Sequence, residues 1–203
     1  MESTSAALVR LNIETSAHHA AADVTWRSLL EAAEPTRIEY ARRLVATYGF
    51  EAPLEAALAY TPGLRAVIDV RARFRAGLVA QDLLVLGLTP SEVAQLPECF
   101  PMAPFGSVIE ALGWMYVVER STLLHAEVRQ HLVSCLPEIA RATSYLDAYR
   151  EVAGARWLEL GHALDEVARG DRERDALVAA AHAGFRCLTA WNRNEHDVVA
   201  RGA

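Results

Sequence analysis

Residues 111–132 read ALGWMYVVERSTLLHAEVRQHL. The run holds no proline, and its apolar residues recur at helical spacing without the strict alternation of a half-buried strand. It is entered through residues 97–104, PECFPMAP, whose three prolines prevent a continuous helix. Pro137 closes it, so the pattern predicts one long helix over residues 105–136.

The same punctuation recurs on both sides. Long stretches rich in Ala, Leu, Arg and Glu lie between Pro and Gly breaks, with no hairpin dipeptides flanking alternating runs. That is an all-α pattern, and 203 residues fit within one domain spanning residues 1–203. A first helix is predicted from Ser5 to Ala22 or beyond, with Leu8, Leu11, Thr15, His19, Ala22 and Trp26 on one face. A second starts at Pro35 and runs through Arg43, with Gly49 and Pro53 as breaks before a short helix ended by Thr61-Pro62-Gly63. Interrupted helix follows over residues 64–86. Thr89 is placed to cap another helix with Pro90 in its first position. Beyond Pro137, helical stretches are predicted over residues 138–168, with a break near Gly154, and 172–191, leaving 192–203 frayed.

Composition narrows the classes of function. The formal charge of −6, with no basic stripe, argues against nucleic acid as a partner. All 20 basic residues are Arg, which fits a high-GC bacterial coding bias. Hydrophobic residues at 52% and charged residues at 23% suit a soluble globular chain. No segment reaches the roughly 18 uninterrupted apolar residues of a membrane span. The N-terminal MESTSAALVRLNIETS lacks the apolar core of a signal peptide. Cys99, Cys135 and Cys187 are far apart and lack CxxC spacing, which suggests neither a disulfide framework nor a zinc knuckle. A cytoplasmic location is expected.

Three segments in order carry a family resemblance: LNIETSAHHAAAD at residues 11–23, ALGWMYVVERSTL at 111–123, and SYLDAYREVAGARWLELGHALDE at 144–166 followed by HAGFRCLTAW at 182–191. Together they resemble the bacterial haem oxygenases, especially the branch that accompanies phytochromes. The resemblance implies a haem oxygenase-like helical bundle that holds haem between a proximal and a distal helix. It implies cleavage of haem by O2 to biliverdin, CO and iron, with electrons from a ferredoxin-type reductase and a phytochrome as a possible partner. Thr15-x-x-x-His19 matches the family's LxxxTxxxH and puts the proximal iron ligand at His19. A neutral imidazole suits that role because it leaves the sixth iron position open. Asp23, one turn further on, is then placed to hydrogen-bond the far ring nitrogen directly or through water.

The family's distal helix reads close to LGxLYVLEGSTLGG, and its last three glycines let backbone approach the haem. In this chain those positions are Arg120, Leu124 and His125. At about 100° per residue these three and Ser121 share one face, so all four belong to the expected pocket. Arg120 and Ser121 are the candidate catalytic residues on that face, and Leu124 and His125 the candidate haem contacts. Arg120 has no acidic partner at its i±3 and i±4 positions, and needs water, a tertiary carboxylate or a ligand carboxylate. His125 is either a second, distal iron ligand or a side chain filling the space of a glycine. Leu124 is most simply added core volume.

Other readings stay open at this stage. His18 lies about 100° from His19 and reads as exposed or capping. Trp114, Tyr116, Trp157 and Trp191 read as packing residues, and Arg156 as a solvated cation within reach of a propionate. Glu159-x-x-His162 has the spacing of a di-iron bundle, but the nearest second pair, Glu127 and His131, is spaced i,i+4. No cysteine lies in a recognised thiaminase-like motif. The alternatives to a haem oxygenase are a non-catalytic descendant that binds haem, a bilin or a partner protein, and a helical interaction module without tetrapyrrole binding.

Overall fold

The computed structural model describes residues 5–99 and 103–201, with side chains described as far as residue 193. Among the described residues the chain is all-α, with eleven α-helices, three short 3-10 turns and no strand. Phe100–Met102 of the proline-rich loop lie outside the described residues, and the rest of that loop is non-helical as its prolines require.

Where the apolar pattern predicts one N-terminal helix there are two, α1 (Ala6–Glu14) and α2 (Ser16–Glu31). They meet at Thr15, whose hydroxyl donates to the Leu11 carbonyl at 2.7 Å. Such back-bonding by Thr competes with the regular ladder and bends helices. The predicted face survives the bend: Leu8, Leu11, Thr15 and Trp26 are buried, while His19 and Ala22 are half-buried.

Helix α3 (Arg37–Tyr60) corrects two expectations. Pro35 lies outside it, and the cap is Thr36 in a reciprocal box with Glu39. Neither Gly49 nor Pro53 ends it. Pro53 has no N–H to offer the carbonyl four residues back, so an interior proline normally orphans that carbonyl. Here the orphan is Gly49, and the Cys99 N–H donates to its carbonyl at 2.8 Å. Gly49 also lies beneath the indole of Trp191: a Cβ at this position would come within 2.6 Å of Trp191 Cζ2. The break is thus repaired by tertiary contacts.

The interrupted stretch after Gly63 forms α4 (Leu64–Val67), a 3-10 turn at Arg71–Arg73 and α5 (Ala76–Val85). Helix α6 (Pro90–Ala94) starts as its sequence predicts, with a Thr89–Glu92 capping box and Pro90 in the first turn. The long central helix begins later than expected and is divided. Helix α7 (Val108–Ser121) starts at the Ser107 cap, a 3-10 turn occupies Thr122–Leu124, and α8 (His125–Cys135) ends before Pro137. The turn has a local cause. Ser121 Oγ donates to the Val118 carbonyl and Thr122 Oγ1 to the Glu119 carbonyl, each at 2.7 Å.

After Pro137 the predicted helical stretch is mostly absent until late. A 3-10 turn at Pro137–Ile139 and the short α9 (Ser144–Asp147) precede α10 (Ala153–Val167). Buried Asp82 of α5 fixes α9 by accepting the Ser144 and Tyr145 N–H groups, both at 2.9 Å. Helix α11 (Asp171–Arg201) extends beyond the expected stop at Trp191.

Two apolar clusters form the core. Leu11, Phe50, Leu112, Tyr116, Leu160 and Phe185 belong to one, built from α1, α3, α7, α10 and α11. Trp26, Tyr40, Leu83, Val128, Leu132 and Tyr145 belong to the other, built from α2, the start of α3, α5, α8 and α9. Helices α7 and α11 approach closely at Gly113, where an added Cβ would lie 2.6 Å from that of Ala180. No described helix is long and apolar enough to cross a membrane.

Candidate functional site

The sequence-predicted site residues come together where α2 faces the end of α7 and the start of α8, but in a different pattern. His19 is half-buried, its ring centroid 5.6 Å from that of Phe185. Burial, followed by the charge of Arg120, lowers its pKa and favours a neutral imidazole. Its Nε2 lies 3.1 Å from Thr15 Oγ1. That hydroxyl already gives its single proton to the Leu11 carbonyl. The contact therefore assigns the proton to Nε2, which donates to Thr15 and leaves the lone pair on Nδ1. Ligation of a metal through Nε2 would break this hydrogen bond.

Asp23 makes no direct hydrogen bond to His19 among the described residues. Its carboxylate forms a two-point pair with Arg120, Nη1 to Oδ1 at 2.7 Å and Nη2 to Oδ2 at 3.2 Å. A planar guanidinium matches a carboxylate at both oxygens, and this charge-assisted pairing outcompetes a neutral imidazole. Arg120 thereby finds its carboxylate on α2 rather than on a ligand.

The other distal residues do not share one exposed face, because the turn at Thr122–Leu124 interrupts the helical arithmetic. Ser121 bonds back to its own helix, and Leu124 packs against the second cluster. His125 is 3% exposed, with its ring centroid 4.6 Å from Tyr145 and 5.9 Å from Trp26. Burial, then the positive Arg75, holds its pKa well below the ordinary imidazole range. Neither ring nitrogen of His125 has a hydrogen-bond partner among the described residues, so the ring acts as packed volume. Placed among these aromatic rings, it fills space in this arrangement.

A cavity of about 40 Å³ lies here between α2, α3, α7 and α11, lined by Ala22, Trp26, Phe50, Val118, Ser121 and Leu188 among others. Cofactor and drug-sized pockets measure roughly 300–1,000 Å³. In this arrangement the residues present do not fit a haem. A larger groove of about 540 Å³ lies elsewhere, between the end of α2 and the start of α3, along Leu29, Ala32, Ile38, Arg42 and Val45.

The remaining candidates fall outside the site. His18 is not free: its Nε2 lies 2.9 Å from His182 Nδ1, and its ring stacks on Phe185 at 5.5 Å. Arg156 pairs with Glu159 at 3.0 Å. Glu159 and His162 are exposed, and His131 bonds the Ala32 carbonyl. Among the described residues no three His, Cys, Asp or Glu side chains converge to hold a metal ion. The large aromatics are packing residues: Trp114 meets Phe105, Tyr116 meets Trp157, and Trp191 donates its indole N–H to the Ala46 carbonyl at 2.8 Å.

The chief feature that sequence reasoning missed is a buried charge network beside this region. Arg75, 1% exposed, lies 3.4 Å from both Glu51 oxygens and 3.3 Å from Glu119. Arg73 meets Glu119 at 2.6 Å. The Tyr145 and Tyr149 hydroxyls donate to Glu51 and Glu119 at 2.6 and 2.9 Å. Glu55 accepts the backbone N–H groups of Arg75 and Ala76, and burial followed by the charge of Glu51 pushes its pKa up to about 7. One signal was available: Glu119 ends the apolar run ALGWMYVV, and a carboxylate buried on such a face needs a cation. Nothing in the spacing identifies Arg73 and Arg75 as its partners.

No protein-family model and no curated protein matches this chain.

Proposed function

We propose that the chain is a non-catalytic, haem oxygenase-like helical protein, in which the position for haem has been rebuilt as packed core and which acts as a binding protein. The observation that carries this reading is the direct bridging of α2 to α7 and α8. Asp23 pairs with Arg120, and Trp26 contacts His125, across the space where the family resemblance implies a haem sandwich. The three residues that stand at the family's glycine positions take part in the closure or its flank: Arg120 as an ion, His125 as an aromatic filler, and Leu124 as apolar packing. The resemblance in the three sequence segments supports descent; the filled space argues against cleavage of haem to biliverdin, CO and iron.

The half-buried, neutral His19 favours a second reading, an active haem oxygenase in which α2 separates from α7 and α8 to admit haem. Single-turnover and steady-state assays with haemin, O2 and either a ferredoxin-type reductase or ascorbate distinguish the two. The expected result is no biliverdin spectrum and no CO release. Conversion of haem to biliverdin by the wild-type chain would overturn the proposal.

A further inference from the structure

Cys99 and Cys187 are 88 residues apart in sequence, yet their sulfurs lie 3.6 Å apart. Both thiols are reduced and half-buried. Each is held by its surroundings. The Cys99 backbone N–H is fixed to the Gly49 carbonyl of α3. Cys187 sits within α11, one turn before Trp191, whose indole is anchored to the Ala46 carbonyl. Both anchors fall within a single turn of α3, so the two sulfurs are positioned against one frame. Forming a disulfide requires closure from 3.6 Å to the roughly 2.05 Å of an S–S bond.

We propose that Cys99 and Cys187 form an oxidisable dithiol site, in which one of the two thiolates attacks a low-molecular-weight disulfide and the other resolves the adduct into an intramolecular disulfide. Either thiol can donate in this contact, and the hydrogen bond stabilises a thiolate on the sulfur that accepts it. The thiolate is the attacking species. In the first step one thiolate of the pair bonds through its Sγ to one sulfur of the small disulfide, whose other half leaves as a thiolate. In the second, the other cysteine loses its proton, its sulfur attacks the protein sulfur of the mixed disulfide, and the second small thiol leaves. Two protein thiols lose two electrons, and one small disulfide is reduced to two thiols. The product ties the loop after Pro97 to α11. This site is independent of the tetrapyrrole reading, and either can fail without the other.

The test is to equilibrate the full chain with oxidised and reduced glutathione, quench with acid, alkylate the remaining thiols and map tryptic peptides. The chain has no Lys, and cleavage at Arg isolates residues 76–120 and 187–193. The proposal expects these peptides joined with the loss of two hydrogens, in the wild type and in Cys135→Ser, with Cys135 as the remaining alkylated thiol of the wild type. At least one of Cys99→Ser and Cys187→Ser should instead accumulate glutathione on the cysteine left of the pair. The oxidised wild type should also unfold at a higher denaturant midpoint than the reduced one. Persistent separate glutathione adducts on Cys99 and Cys187 of the wild type, crosslinks only through Cys135, or three unreacted thiols would overturn it.

Discussion

Burial acts on Glu55 and His125 with opposite sign. Glu55 binds its proton more tightly in the fold than in the unfolded chain, so its contribution to stability is full below the ordinary carboxylate range and is lost as pH rises through about 7. His125 binds its proton more weakly in the fold, so its contribution is present above the ordinary imidazole value and is lost as pH falls below it. The half-exposed His18 and His19 share the sign of His125 with smaller weight, and buried Asp82 shares that of Glu55. The wild-type profile is therefore flattened by opposing slopes between about pH 4.5 and 6.5. Denaturant unfolding across pH should expose each slope in turn. Glu55→Gln, which cannot titrate, should gain stability relative to wild type as pH rises from 5 to 8, by on the order of 3 kcal/mol. His125→Phe should lose the larger part of the acid-side decline, leaving the smaller share of His18 and His19. Parallel profiles for wild type and Glu55→Gln would contradict the assignment of the raised group.

At the scale of helices, the elements legible in the sequence are those whose signals are local. The Thr89-Pro90 start, the non-helical described part of the proline-rich loop and the stop at Pro137 all rest on a residue's own capping or steric preference. Two divisions were missed for an equally local reason of smaller size. At Thr15 and at Ser121-Thr122, hydroxyls bond back to helix carbonyls, an option that apolar periodicity does not register. The uninterrupted α3 was illegible because its repair comes from elsewhere: the Cys99 N–H and the Trp191 indole complete the Gly49–Pro53 segment. This account predicts that Gly49→Ala, normally favourable within a helix, destabilises here. Its methyl meets Trp191 and the Pro97 carbonyl, and overpacking of this kind costs about 1–3 kcal/mol. Urea denaturation, with Gly77→Ala as the control because open space surrounds that position, measures the difference.

Across the whole molecule, two apolar clusters meet around a buried ionic network and a closed helix interface. Sequence identified the participants at that interface more successfully than their partners. Asp23, Arg120 and His125 do come together between α2, α7 and α8, but Asp23 meets Arg120 rather than His19, and His125 meets aromatic rings. Pairings of this kind depend on how the helices turn at Thr15 and Thr122–Leu124, and a one-dimensional spacing argument assumes straight helices. The proposal that this interface is packed core rather than a haem site rests on those contacts. Haemin titration at the Soret band, comparing wild type with His19→Ala, tests it most directly. The account predicts weak, non-saturating spectra that are the same for both proteins. A sharp band that saturates at equimolar haemin in the wild type and disappears in His19→Ala would contradict it.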